Sequence, residues 1–343
     1  MVLRIGILNG GGDCAGLNAV TRGVLRGAEE YGIEVIGVRR GWAGMIEGEA
    51  EGLRYSDFEE LVGTGGTALL TSRTNPLKHK DGLQIIASNM KKLGLDCLIA
   101  VGGDDTLGVA SELSRLGLNV IGVPKTIDND LAGTDYSFGF FTAVDEAMHL
   151  IESLRTTGAS HGRVMVVEVM GRDAGWISAY AGIAAGANMV LVPEFETQLD
   201  SVVALVKKRK NEGKKSTVIV VAEGVRLASR EGTERDEFGH ELIAKSSGES
   251  NASAIAKYIE KKTGLETRAT VLGHTIRGTG PNAYDRVMTS MLGFRAVTAA
   301  KEGRFGIMVA IRGPGIAEVP LSEGSKKKRL DSATWNVLSK FFV

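Results

Sequence analysis

The stretch from Leu98 to Asp130 constrains this chain more than any other, because it holds two strand-like runs that each end in an acidic loop. Leu98 to Val101 (LIAV) is a short apolar run of strand type. It is broken by Gly102-Gly103-Asp104-Asp105-Thr106, after which Leu107 to Leu116 has helical spacing. Asn119 to Val123 (NVIGV) is a second strand, ending in Pro124-Lys125-Thr126-Ile127-Asp128-Asn129-Asp130. In a parallel sheet the carboxyl ends of neighbouring strands open on one edge, so both loops would face one crevice. Up to four carboxylates would then crowd one lysine. Such acids repel unless a cation joins them, and a hard divalent ion held by carboxylates and phosphate oxygens is the economical solution. Phosphate chemistry with magnesium (Mg2+) is therefore the leading expectation. GGDDT alone would read as an acidic turn at a helix start; the pairing of two such loops changes that.

With 343 residues the chain exceeds a usual single core, so two subdomains are expected. Lysine plus arginine and aspartate plus glutamate balance at 41 each, so no global field favours nucleic acid or an acidic membrane as a partner. The opening MVLRIGILNGGG enters a strand and glycine loop directly, without an export pattern, and no apolar run reaches membrane length. A cytoplasmic location is expected. Cys14 and Cys97 form no CxxC or Cys/His cluster, which supports neither a disulfide framework nor zinc.

Other strand ends carry unusual polar motifs. Leu3 to Leu8 leads into Asn9-Gly10-Gly11-Gly12-Asp13, a glycine loop opening a helix through Arg22 and Arg26, where backbone amides can cradle phosphate. It lacks the Gly-Lys-Ser/Thr of a Walker loop. Glu34 to Val38 is a further strand, and Thr64 to Leu70 is read as running to a strand end just before Arg73. A helix is expected over 143–154, then the strand Arg163 to Val169, closed by Met170-Gly171-Arg172 at a helix start. Asn188 to Val192, Thr217 to Ala222, Arg268 to Leu272 and Phe305 to Ile311 complete the strands, the last being the final clear one. Gly224 to Ser250 is a charged surface excursion. Lys326-Lys327-Lys328-Arg329 reads as a solvated face without function. Strands alternating with helices argue for a three-layer α/β architecture, repeated twice.

GGGDCAGLNAV, GGDDT, PKTIDND, MGR and TVLGHTIRG, in that order, resemble the 6-phosphofructokinase family, from the first strand to at least Gly306. The resemblance implies two Rossmann-like three-layer α/β/α subdomains with the active site in the cleft between them. Residues 1–139 with about 276–328 would form the larger, on the phosphoryl donor and metal side. Residues 140–275 with about 329–343 would form the smaller, on the sugar-phosphate side. It implies phosphoryl transfer to the 1-hydroxyl of fructose 6-phosphate. Asp128 would be the base, since a hydroxyl attacks well only as its proton is accepted. Asp104 would hold magnesium with help from Asp130, Gly11, Gly12 and Thr106 would border the donor phosphates, and Arg73 and Arg172 would neutralise the transferring group. Thr126, Met170, Gly171 and Glu223 match sugar-binding positions. Arg163, Arg268, His274 and Arg277 match the clamp on the 6-phosphate, with Arg163 and Arg268 reaching in from a neighbouring subunit of a homo-oligomer, dimer or tetramer. Read singly, His274, Arg268, Arg277 and Glu223 would be structural: a partly buried histidine, two arginines in ion pairs and a helix N-cap.

Asp105 and Lys125 match the pyrophosphate-using members, where ATP-using ones commonly carry glycine. An aspartate at 105 would clash with, and repel, the α-phosphate of a nucleotide, while Lys125 would steady the leaving phosphate. Pyrophosphate is the expected donor, and ATP the alternative. Arg22, Arg26, Arg155 and Lys214 match part of an effector pocket of regulated relatives, but Tyr55, Asn188 and Glu212 depart from it, so a weakened effector response is expected. An enzyme like an NAD kinase would share only the GGD turn. A phosphosugar-binding regulator without catalysis would not need Asp104, Asp128 and Arg172.

Overall fold

The computed structural model describes residues 3–228, 234–235, 241–242 and 248–342. The chain opens with β1 (Arg4–Asn9), α1 (Leu17–Tyr31), β2 (Glu34–Val38), α2 (Trp42–Glu47) and β3 (Ala50–Leu53). Three 3-10 turns lead to α3 (Gly82–Lys92), β4 (Cys97–Gly102), α4 (Asp104–Arg115) and β5 (Val120–Pro124). Next come α5 (Phe140–His161), β6 (Val164–Val169), α6 (Trp176–Ala184), β7 (Met189–Leu191), β8 (Thr197–Gln198), α7 (Leu199–Asn211) and β9 (Thr217–Ala222). The two-residue strands β10 (Leu227–Ala228), β11 (Glu234–Arg235) and β12 (Glu241–Leu242) precede α8 (Asn251–Thr263) and β13 (Thr267–Val271). A 3-10 turn (Gly273–Ile276), α9 (Ala283–Lys301), β14 (Ile307–Arg312), β15 (Gly315–Pro320) and α10 (Ser332–Leu338) follow. Two compact units result, Met1–Thr142 with Arg277–Lys328, and Ala143–Ile276 with Arg329–Val343.

The first unit is built on a sheet ordered β15-β14-β5-β4-β1-β2-β3. Its five inner strands run parallel and only the edges β3 and β15 are antiparallel. The inner strands read as unbroken apolar runs because helices cover both faces. Leu8, Val38, Leu98 and Ala100 pack under Trp42, Met45, Ile86, Met90 and Leu107, which places α2, α3 and α4 on one side. Each buried leucine, isoleucine, valine or methionine among them contributes roughly 1.5–3 kcal/mol. On the other side α1 and α9 touch along their backbones. A Cβ at Gly23 would fall 2.2 Å from the Ser290 carbonyl oxygen, and one at Gly293 would fall 2.2 Å from that of Val20.

The second unit carries the all-parallel sheet β13-β6-β9-β7. Leu199, Val202, Ile255 and Ile259 from α7 and α8 close over Val166, Ile219 and Val221. The buried Glu168 in β6 accepts from the Ala252 backbone N–H at 2.9 Å, so a strand side chain caps the start of α8. A small ribbon, β11-β12-β10-β8, lies beside this sheet's elements in sequence.

Several elements differ from the sequence-based expectation. The helix expected over 143–154 runs from Phe140 to His161. β15 follows the strand taken as the last; its GIAEVP is half-buried up to an exposed Pro320 and lacks the apolar run that marks a central strand. Residues 64–74 hold no strand, and Leu70 sits in the left-handed region at φ +60°, so Arg73 follows a loop. The charged excursion between Gly224 and Ser250 lies largely outside the described residues, at 229–233, 236–240 and 243–247.

The start of α5 depends on a distant acid. Asp285 is fully buried in the first turn of α9 and accepts from the backbone N–H of Gly139 (3.1 Å), that of Thr142 (3.0 Å) and the Thr142 hydroxyl (2.5 Å). Removing the carboxylate strands buried donors at about 1–3 kcal/mol each. Asp285→Ala is expected to lower the urea midpoint by the equivalent of roughly 3 kcal/mol or more, with Asp285→Asn costing less because it keeps an acceptor. Equal midpoints for wild type and Asp285→Ala would remove this cap from the account.

Candidate active site

The pairing of β4 with β5 brings Gly102 level with Pro124, and the Lys125 N–H continues the ladder onto the Gly102 carbonyl at 2.9 Å. The two acidic loops therefore leave the sheet side by side. Asp104 and Asp105 fill the first turn of α4, where the positive helix end favours carboxylates. Thr106, expected at the donor, is instead a buried wedge, 2% exposed. A Cβ on Gly10 would meet its side chain at 2.5 Å and one on Gly102 at 2.3 Å, so the two glycines are the space it fills. Its part is to hold the glycine loop against the acidic loop.

Gly11 adopts φ +82°, which suits a residue without Cβ. Its N–H donates to the Ser72 carbonyl (3.0 Å) and its carbonyl accepts from the Thr71 hydroxyl (2.7 Å). The amide expected to hold phosphate at Gly11 is thus engaged within the protein, and the loop is tied to the segment bearing Arg73. Arg73 itself is exposed. Lys125, 4% exposed, donates to the Gly12 carbonyl at 2.5 Å and lies 3.4 Å from where a Gly11 Cβ would stand. Arg277 approaches the same turn, 3.2 Å from a would-be Gly12 Cβ, and pairs with Asp13 at 2.9 Å. Two cations thus converge on a glycine turn, which is the chemistry of an oxyanion seat. Burial pushes the Lys125 pKa down, with Arg277 acting the same way against Cys14, Asp13 and Asp128. Burial likewise pushes the Cys14 thiol up to about 12, which leaves it a neutral packing group.

The loop after β5 is fixed from both ends. The Asp128 N–H donates to Thr126 Oγ1 (3.1 Å), and the Ser137 hydroxyl donates to the Thr126 carbonyl (2.7 Å). Asn129 sits at φ +52°, and its Oδ1 accepts from the Ser137 N–H (3.1 Å) and from Lys328 Nζ (2.9 Å). Lys328 also donates to the carbonyls of Thr134 (3.0 Å) and Asp135 (2.8 Å), and burial lowers its pKa to about 8. Lys327 Nζ lies 2.6 Å from Asp130 Oδ2 and 3.0 Å from Asp104 Oδ2. Burial would pull the Lys327 pKa down, but its bonds to Asp130 and then Asp104 outweigh that and raise it. The backbone joins in: Ala132 N–H donates to Lys326 (2.9 Å) and Lys328 N–H to Asp130 (2.7 Å). The basic run read as a solvated face is therefore laid along the acidic loop, because unbalanced carboxylates there need a counter-charge. Asp105 is exposed, with a 3.3 Å hydrogen bond from Asn75 Nδ2.

The second unit presents its residues on two opposite edges of its sheet. Met170 and Gly171 follow β6, Glu223 follows β9 and His274 follows β13, all at the carboxyl edge, with Arg172, Glu223 and His274 exposed. Gly171 at φ +132° brings the strand ends together: its carbonyl accepts from Gly224 N–H (3.1 Å), and Val169 accepts from Glu223 N–H (3.0 Å). Arg163 precedes β6 and Arg268 pairs in register with Met165, so both lie at the amino edge. Both meet Glu266, Arg163 at 2.8 Å and Arg268 in a closer ion pair, and the hydrogen bond from Arg163 chiefly holds that carboxyl below its usual range. At ~3.3 Å per residue, the six residues of β6 put roughly 17 Å between the two sets.

Among the expected effector residues, the Arg22 and Arg26 guanidinium groups lie 5.4 Å and 5.8 Å from the centre of the Tyr55 ring. Tyr55 thus draws both cations onto its face. Asn188 accepts from Val218 N–H at 2.9 Å, a structural use.

Lys327, Lys328 and Ser137 were missed in the sequence, where a lysine run carries no sign of what it faces. The available signal was the acidic loop itself, which lacks enough nearby cations in its own segment. Among the described residues no three His, Cys, Asp or Glu side chains gather as a metal cage. Asp104 and Asp130 do share one cation, and magnesium is commonly held by one or two carboxylates plus substrate phosphates. The pair therefore fits such an ion.

Known proteins point the same way. A family profile described as Phosphofructokinase matches residues 4–300. The pyrophosphate–fructose 6-phosphate 1-phosphotransferase of Amycolatopsis methanolica is 50% identical over 331 residues, covering 94% of each chain. The ATP-dependent 6-phosphofructokinase of Spirochaeta thermophila is 42% identical, over 94% of this chain and 91% of that one. The crystal structure of Pichia pastoris phosphofructokinase in the T-state superposes with a TM-score of 0.84 at 29% identity over 95% of this chain, which spans 35% of that longer one. This chain belongs to the phosphofructokinase family.

Proposed function

We infer that this protein transfers a phosphoryl group from pyrophosphate to the 1-hydroxyl of fructose 6-phosphate, reversibly, giving fructose 1,6-bisphosphate and phosphate. The observation that supports this is the level ending of β4 and β5, from which the loops bearing Asp104, Asp128 and Asp130 leave side by side, with Lys125 bonded to Gly12. The identity to the named pyrophosphate enzyme supports the donor. Asp128 accepts the proton of the 1-hydroxyl as the new P–O bond forms. Lys125 at the glycine turn offsets charge on the departing phosphate, while Arg277 belongs to the clamp on the 6-phosphate. Asp104 and Asp130 hold the divalent ion that the family generally uses, for which we propose magnesium, whose charge offsets that of the phosphates. Arg73 and Arg172 neutralise the transferring group, and Thr126, Met170, Gly171, Glu223 and His274 hold the sugar. The first unit serves donor and metal, the second the sugar phosphate, and the protein acts in the cytoplasm in glycolysis or gluconeogenesis. No helix among the described residues is long and apolar enough to cross a membrane.

Two observations favour the second reading, ATP as donor. Asp105 is exposed on the helix surface with a 3.3 Å bond from Asn75, and the ATP-dependent relative is 42% identical. Specificity constants for pyrophosphate, ATP, ADP and polyphosphate against fructose 6-phosphate decide between them. Pyrophosphate is expected to lead in wild type, and Asp105→Gly to raise use of ATP. A wild type that prefers ATP overturns the donor assignment, and sugar-phosphate binding without turnover on any donor leaves a regulator.

Asp128→Asn is expected to cut kcat by about 10²- to 10⁴-fold with little change in sugar-phosphate affinity, as loss of a general base does. Near-normal turnover would mean that another group takes the proton.

Arg163 and Arg268 on the amino edge support the proposal that they complete the 6-phosphate clamp of a neighbouring subunit in a homo-oligomer. Arg268→Ala is expected to raise KM for the sugar phosphate by about one to three powers of ten, as breaking a desolvated charge pair costs about 2–5 kcal/mol. Mixing Arg268→Ala with His274→Ala subunits is expected to recover part of the activity. If exchange is confirmed and no mixture recovers, the clamp is built within one chain.

A further inference from the structure

Lys327 stands outside every role assigned above, yet its ammonium touches both carboxylates of the proposed metal pair, at 2.6 Å from Asp130 and 3.0 Å from Asp104. Its position is not incidental. Leu131 and Lys327 form an isolated antiparallel bridge, and the flanking bonds from Ala132 to Lys326 and from Lys328 to Asp130 hold this backbone to the acidic loop. The next residue, Lys328, is anchored on Asn129, Thr134 and Asp135. The backbone is therefore stapled on both sides while the Lys327 side chain, 35% exposed, keeps a way out to solvent. Asp130 is buried, with a side chain 8% exposed, so its charge has little water to rely on when the ammonium leaves.

We propose that Lys327 is an internal counter-cation that competes with the divalent ion, so that the ion binds well only together with the pyrophosphate anion. This rests on the reading of Asp104 and Asp130 as the metal pair. With lysine alone, two carboxylates and one ammonium leave a net charge of −1. A divalent ion added beside the lysine makes it +1, with two cations crowded at short range. The pyrophosphate anion removes that penalty and offers the displaced ammonium a phosphate oxygen. Metal and donor thus bind cooperatively, and the coupling is reciprocal. Lys327 acts as a positioning and gating residue, distinct from the cations at the glycine turn.

The test is Mn2+ binding, read by electron paramagnetic resonance, with and without the non-transferable donor analogue methylenediphosphonate, in wild type, Lys327→Met, Lys327→Gln and Lys327→Arg. Wild type is expected to bind Mn2+ on the order of 100-fold more tightly with the analogue than without, in the range of allosteric coupling. Lys327→Met should bind Mn2+ alone at least tenfold more tightly than wild type and show a correspondingly smaller ratio, while Lys327→Arg keeps the wild-type ratio. Lys327→Gln, which retains a hydrogen-bond donor, serves if the methionine variant does not fold. Mn2+ affinity without analogue that is unchanged or weaker in the neutral variants, with binding intact when the analogue is present, overturns the proposal alone. No Mn2+ binding by any of the proteins, even with the analogue, overturns the metal assignment to Asp104 and Asp130 and this proposal with it.

Discussion

The in-register parallel pairing of β4 and β5 is the constraint on which the first unit's site depends. Gly102 opposite Pro124, extended by one more backbone bond at Lys125, makes the two strands stop together. A one-residue slip would exchange the two faces of β5 and displace the loop bearing Lys125 and Asp128 against the one bearing Asp104. Thr106 adds the third party: wedged against Gly10 and Gly102, it keeps the glycine loop after β1 at the same height. Three strand ends are thus brought to one level by backbone pairing and one buried threonine side chain.

What these contacts assemble is electrostatically costly. Lys125 is buried and its pKa is pushed down, while Asp130 is buried beside Asp104 and Asp128. Neither sign is tolerated alone in a poorly hydrated place. The chain answers with Asp13 at the glycine turn, which also pairs with Arg277 from far along the sequence, and with the equally distant Lys327 and Lys328 at the acidic loop. Sequence distance is long and spatial distance short, so these partners tie the late segment to the early sheet as well as balancing its charge.

That geometry also explains what could be read in advance. Strands such as Leu98–Val101 and Thr217–Ala222, apolar on both faces, announce themselves, and so do the polar motifs at their carboxyl ends. β15 did not, because a half-buried edge strand lacks that run, and the Thr64–Leu70 segment misled because its apolar residues serve a loop with Leu70 in the left-handed region. Asp104, Asp105 and Asp128 were legible as a group, since only pairing of adjacent strands was needed to see them together. Gly11 and Thr106 were legible as positions but not as roles: a sequence cannot tell an amide offered to a ligand from one already bonded to Ser72, nor a polar threonine from a buried wedge. Lys327 and Lys328 were illegible, because the bridge that sets them on the acidic loop is a long-range pairing of two residues without a strand pattern.

The second unit adds a different argument. A parallel sheet has one edge where loops can converge on a small ligand, and Met170, Gly171, Glu223 and His274 lie at that edge. Arg163 and Arg268 cannot join them in the same chain without crossing the length of β6, and they are held where they are by Glu266. A guanidinium at the amino edge has two possible occupations, a local ion pair or an anion brought from outside. Glu266 leaves its carboxylate shared between two arginines, so the pair carries a surplus of one positive charge. Partly exposed ion pairs of this kind are worth only about 1 kcal/mol, which a dianionic phosphate can readily outbid through bidentate bonds. The arrangement is stable enough to hold the arginines in place and weak enough to release them, as residues lent to another subunit's site would have to be.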